Sequence, residues 1–243
     1  MIPVSNLDAA MLYAETPEMS MHTMGVLVLE PGNASGVDTG GDSPFELARQ
    51  LFADRIHLLP PFRRRMVQGP LEIGDPHWIE DPAFDLDNHL VQASLPSPGR
   101  MRELCDFVGV FASTLLRRDR PLWKAALVSG LEGGKVALVM KIHHAAMDGG
   151  RSAAIAGELM DTSPEGRLIP GPEELWIPDR EPSVPWLAAD TLRTLAGKPL
   201  RAVEAATKIA SAARRKARRR PTTSSDAESS EKAPLVVAPP TPF

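Results

Sequence analysis

Two neighbouring histidines, His143 and His144, stand four residues before Asp148, Gly149 and Gly150 in the stretch KIHHAAMDGGRSAA. An imidazole titrates near neutrality, so it can take a proton from a hydroxyl and return it within one reaction cycle. A His-His-x-x-x-Asp-Gly arrangement arises by chance in about one chain in 1000 of this length and composition, which makes the pattern fairly specific. Adjacent residues of a strand point to opposite faces. That suits a division of labour in which one ring faces a cleft as general base while its neighbour packs and orients the turn. Asp148 is too charged to bury alone and is expected to pair with an arginine, pinning the loop. Gly149 and Gly150 permit backbone angles or close approaches that side chains forbid.

Other chemistries fit these residues less well. Opposite-face geometry disfavours chelation by His143 and His144, and no nearby cluster completes a site, so no metal is expected. A Gly-x-Ser-x-Gly elbow is missing, and Ser152 follows His144 by eight residues with nothing to activate it. The remaining histidines, His22, His57, His77 and His89, read as structural. Cys105, the single cysteine, lies among apolar residues at helical spacing and reads as a buried, unreactive thiol.

The elements that must hold the pair are legible in outline. LWKAALVSGL, the turn EGG and KVALVMKIHH form a hairpin whose second arm is apolar enough for a central strand, so the histidines arrive as that strand ends. GGRSAAIAGELMD then opens a helix with Ile155 and Leu159 on one side. A strand end followed by a helix start is a common address for catalytic groups, because a rigid scaffold holds them at a cleft. Upstream, HTMGVLVLE reads as a buried strand. SPFELARQLFADRIHLL reads as a helix with Ser43 as N-cap, Glu46 completing a capping box, and Leu47, Leu51 and Ile56 as its apolar stripe. RMRELCDFVGVFASTLL places Leu104, Phe107, Phe111 and Leu115 on one helical face. After Asp161 a Pro/Gly-rich stretch reads as a rigid connector, and LRAVEAATKIASAARRKARRR as a basic helix with Leu200, Val203, Ala206 and Ala210 on one side.

These residues resemble the bacterial wax ester synthase/diacylglycerol acyltransferase family, within the chloramphenicol acetyltransferase-like, CoA-dependent acyltransferase superfamily. The family motif His-His-x-x-x-Asp-Gly is matched by His143, His144, Asp148 and Gly149. LDAAMLYAETPEMSMH, PPFRRRM, FDLDNHL and PLW (Pro121, Leu122, Trp123) follow the family's order, and the similarity spans about residues 5 to 190. The resemblance implies an α/β fold, a mixed sheet flanked by helices, as one half of a two-domain acyltransferase. It implies His144 as the base that deprotonates an acceptor hydroxyl for attack on an acyl-CoA thioester. His143 and Asp148 are then supporting residues, and the PLW segment shapes the domain. Fatty acyl-CoA is the implied co-substrate, with no resident cofactor, and diacylglycerol or a long-chain alcohol the acceptor. Family members carry two such halves with the site at their junction, so a polypeptide supplying the C-terminal half is an expected partner. Two further readings stay open on the sequence: a condensation-type acyltransferase using carrier-bound acyl groups, and a half that binds a partner without turnover.

Composition sets the remaining bounds. Hydrophobic residues make up 43% of the chain and charged residues 24%, ordinary for a globular protein, and no apolar run is long enough for a membrane-spanning helix. The N-terminus lacks the pattern of a signal peptide, so the expected address is cytoplasmic. The net charge of −4 conceals an asymmetry: residues 1–190 carry 16 basic against 27 acidic side chains, and residues 191–243 carry 11 against 4. RRKARRR, Arg214 to Arg220, suits the surface of an anionic membrane or lipid droplet better than nucleic acid, for which the acidic remainder offers no partner surface. A solvated linker helix is the plainer reading of the same run. The expected domains are therefore 1–185, the acyltransferase half; 186–220, a basic linker helix; and 221–243, a disordered linker.

Overall fold

The computed structural model describes residues 1–30, 43–69, 72–147, 151–161, 167–172, 176–197, 207 and 210, with 151–154 and 197 described by backbone alone. The chain divides into two compact units, Met1–Pro199 and Leu200–Phe243. In the second, Thr207 and Ala210 are helical. Leu200, Val203, Ala206 and the Arg214–Arg220 run lie outside the described residues.

A four-stranded mixed sheet is the frame of the first unit. Its strands are β2 (His22–Leu29), β5 (Leu90–Ser94), β6 (Trp123–Ser129) and β7 (Val136–His143), in the order β2-β7-β6-β5. The β6–β7 hairpin is antiparallel as expected, with Trp123 opposite Ile142, while β5 runs parallel to β6. A smaller sheet sets β4 (His77–Glu80) between β1 (Ile2–Pro3) and β3 (Arg64–Val67).

Helices cover both faces of the large sheet, which explains why β6 and β7 are apolar almost throughout. On one face Ala125, Leu127, Leu138 and Ile142 pack with Phe52 of α2 (Pro44–Arg55) and with Ile155 and Leu159 of α4 (Arg151–Leu159). On the other, Ala126, Val128, Ala137 and Val139 meet Leu104, Phe107 and Phe111 of α3 (Met101–Ser113). Arg55, buried at the end of α2, donates to the carbonyls of Glu158 and Leu159 and pairs with Asp161. It thereby supplies donors to carbonyls that the end of α4 leaves without helical partners. Lys141 does the same for α3, its Nζ donating to the carbonyls of Phe111 (2.8 Å) and Thr114 (2.5 Å).

Several sequence expectations shift by one face. HTMGVLVLE is a strand, but β2 is an edge strand with Val26 and Leu27 46% and 39% exposed, rather than a buried one. Ser43 caps α2 by accepting the Glu46 N–H (3.3 Å), yet the inward stripe is Phe45, Ala48, Phe52 and Ile56, and Leu47 faces out. Cys105 is exposed, because the buried face of α3 runs through Leu104, Phe107 and Phe111, and Leu115 lies beyond the helix end, also exposed. The connector folds back onto the small sheet. Trp176 donates to Glu80 (2.9 Å) beneath the Arg63 guanidinium, and the backbone N–H of Asp179 bonds the Glu80 carbonyl (3.1 Å). Beyond it α5 (Val184–Gly197) packs Thr191 against Gly69 and Gly74.

Candidate active site

β7 ends on the histidine pair, and the two rings part there. His143 is fully buried, while His144 is exposed and opens a single 3-10 turn, His144–Ala146. The buried ring shapes this turn: its Nδ1 accepts the backbone N–H of Ala145 at 3.0 Å. With Nδ1 committed as an acceptor, the proton of the neutral ring sits on Nε2. Burial pushes the His143 pKa down to about 4, against the pull of the Glu15 carboxylate, with Arg118 and His22 adding to the depression. His143 is therefore neutral at ordinary pH and serves the backbone.

Three backbone bonds fix the segment. The Leu122 carbonyl accepts the His143 N–H (2.9 Å), the Met21 carbonyl accepts the His144 N–H (2.8 Å), and the His144 carbonyl accepts the Met147 N–H (3.1 Å). Leu122 belongs to the PLW segment, whose Trp123 is held in the core by stacking on Phe62, His89 and Phe52, with Nε1 donating to the Phe62 carbonyl. PLW thus touches the histidine strand through its backbone, and its side chains fill the interior. Asp148 and Gly149 lie outside the described residues.

The structure also gathers residues that the sequence reading passed over. Glu15, at the end of α1 (Asn6–Ala14), has a side chain only 3% exposed, with Oε1 3.5 Å from His143 Nε2 and Oε2 3.2 Å from Arg118. His22 faces His143 across the β2–β7 ladder, and burial followed by the charge of Lys141 lowers its pKa. Of the histidines read as structural, His89 is buried, bonded to the Trp123 carbonyl and stacked on its ring, while His22 borders the pair. Glu15 lies within LDAAMLYAETPEMSMH, but no spacing rule links it to a histidine more than a hundred residues away.

Next to the turn opens a cleft of about 330 Å³, walled by Ala145, Ala146, Ile2, Pro61 and Trp78, with Ser5, Asp8 and Arg64 as its polar groups. A hollow of mixed apolar and polar lining, whose wall residues Ala145 and Ala146 follow the exposed His144 in sequence, can receive an amphipathic substrate.

The sheet with helices on both faces is the chloramphenicol acetyltransferase-like fold of acyltransferases. It is similar to a wax ester synthase/diacylglycerol acyltransferase from Marinobacter aquaeolei, with a TM-score of 0.56 and 28% identity, over 80% of this chain and 46% of that one. A family model for the wax ester synthase/diacylglycerol acyltransferase catalytic domain matches residues 4–243, and the chain belongs to that family. The match extends beyond residues 5 to 190, through the basic tail. Two Mycobacterium tuberculosis proteins carrying the name diacylglycerol O-acyltransferase are 41% identical over 181 residues and 30% identical over 180 residues. Each match takes in 74% of this chain, but 37% of the first relative and 63% of the second. The chain thus spans under two fifths of the first relative's length.

Proposed function

We propose that this chain is the histidine-bearing half of an acyl-CoA-dependent O-acyltransferase that esterifies diacylglycerol or a long-chain alcohol. The observation that carries the proposal is the parting of the pair: His143 is sealed in and committed to the backbone, and His144 is exposed, one residue before the cleft wall at Ala145 and Ala146. His144 takes the proton from the acceptor hydroxyl as its oxygen bonds to the thioester carbonyl carbon. The tetrahedral intermediate collapses, the carbon–sulfur bond breaks, and the imidazolium returns the proton to the thiolate. The products are an ester and free CoA.

A positioned base of this kind contributes about 10²- to 10⁴-fold. Substrate placement and oxyanion stabilisation supply the rest, much of both from a companion half corresponding to the length of the relatives that this chain does not span. The test is co-expression with a C-terminal-half polypeptide of the family, followed by radiolabelled acyl-CoA and diacylglycerol or hexadecanol. Ester formation that falls by about 10²-fold or more in His144→Ala is the expected result. Equal turnover by His144→Ala, or an assembled pair that transfers no acyl group to any alcohol, overturns the proposal.

A further inference from the structure

We infer that Glu15 is a positioning residue for the His144 turn, acting through Met21 and His143, and that Arg118 fixes its carboxylate. The inference rests on the reading of His144 as general base. Two peptide N–H groups flank the His144 Cα, its own and that of Ala145, and both trace back to Glu15. The His144 N–H donates to the Met21 carbonyl (2.8 Å), and the Met21 N–H donates to Glu15 Oε1 (3.3 Å). The Ala145 N–H donates to His143 Nδ1 (3.0 Å), which leaves the Nε2 proton facing the same Oε1 at 3.5 Å. Among the described residues buried Nε2 makes no hydrogen bond of good geometry, although Glu15 Oε1 stands 3.5 Å away.

The opposite oxygen, Oε2, is held by Arg118 (3.2 Å), whose guanidinium also donates to the Leu12 carbonyl (2.6 Å) at the end of α1. One carboxylate thus ties the α1 exit to two segments a hundred residues or more further on, the Arg118 loop and the end of β7. A buried carboxylate with a half-buried arginine is an expensive filler, since apolar residues of similar volume occupy the same space without desolvating charge. The pattern of acceptors is what glutamate supplies here. A neutral His143 ring with its proton on Nε2 is the one form that accepts from Ala145 and turns a proton toward Glu15.

Glutamine at position 15 keeps the shape but not the pattern. Whichever way its amide is turned, the NH2 meets either Arg118 or the donors of Met21 and His143, and Arg118 loses its counter-charge. Glu15→Gln combined with Arg118→Gln restores neutrality and one acceptor for each donor. The experiment measures amide hydrogen exchange by NMR on the full chain, with Ala126 in β6 as the control. In Glu15→Gln the His144 and Ala145 amides are expected to exchange about tenfold faster with Ala126 unchanged, and the double variant returns them toward the wild-type rates.

Unchanged exchange at His144 and Ala145 in a folded Glu15→Gln protein overturns the inference. If the single variant does not fold, the double variant carries the test, and a folded double variant with a loosened turn overturns it equally. In the assembled enzyme the same substitution is expected to lower kcat about tenfold with KM within about twofold, the signature of a misplaced base rather than lost binding. The exchange readout needs no turnover. Should it respond as expected while His144→Ala stays active, the proposed function falls and the positioning role stands.

Discussion

His143 and His144 are the same residue type one position apart, yet they meet different solvents and therefore have different chemistry. Burial makes protonation of His143 costly, so its folded pKa of about 4 lies below the value near 6.5 of an unfolded histidine. Between those values the unfolded chain binds the proton that the folded chain refuses. Stability therefore rises with pH across this window and falls on acidification through it. We expect the wild-type melting temperature to drop between pH 6.5 and 4.5, and His143→Gln, which carries no titratable ring, to show a shallower slope over that range. Thermal melts of both proteins in matched buffers check this. An equal slope in the two would mean that other groups control acid stability.

At the scale of elements, the site depends on how closely segments approach. Gly99 precedes α3 with φ +69°, and a Cβ placed there would lie 1.9 Å from the Gly130 carbonyl oxygen at the start of the β6–β7 turn. Gly99→Ala combines left-handed strain with this overlap and is expected to destabilise the fold by about 3 kcal/mol in urea unfolding. Gly109 within α3 is the opposite case. A Cβ there meets nothing within 4 Å, and the residue is exposed. Gly109→Ala is expected to stabilise by about 0.5–1 kcal/mol through helix propensity and reduced unfolded-state entropy. The pair of variants, measured side by side, separates a glycine that close approach demands from one that it does not. The hairpin and the Ser43 cap of α2 were readable because they are local: turn residues, capping hydroxyls and periodicity act within a few positions. Which way a helix faces was less readable, since Leu47 and Phe45 are both apolar and only the neighbour decides which is buried.

For the whole molecule, charge is divided between an acidic first part and a basic tail. No helix among the described residues is long and apolar enough to cross a membrane. Under the proposed function a lipid acceptor has to be reached, and a peripheral contact through Arg214–Arg220 is expected, each cation contributing about 1 kcal/mol at an anionic surface. Flotation with phosphatidylglycerol vesicles is expected to carry the protein at low salt, to release it at high salt, and to fail when the arginines of this run are replaced by serine. Flotation that is indifferent to both salt and substitution would exclude the tail as the lipid contact.

The sequence alone determined the hairpin, the arrival of the histidines at its end, and the family, because each is written in neighbouring residues or in a short ordered set of motifs. It did not determine that β2 is an edge strand, that Cys105 faces out, or that Glu15 and Arg118 gather behind His143. Those outcomes depend on which surfaces meet after the chain has folded back over a hundred residues. Burial is a property of that meeting, and it seals His143 while leaving open His144, the histidine that the family resemblance had singled out.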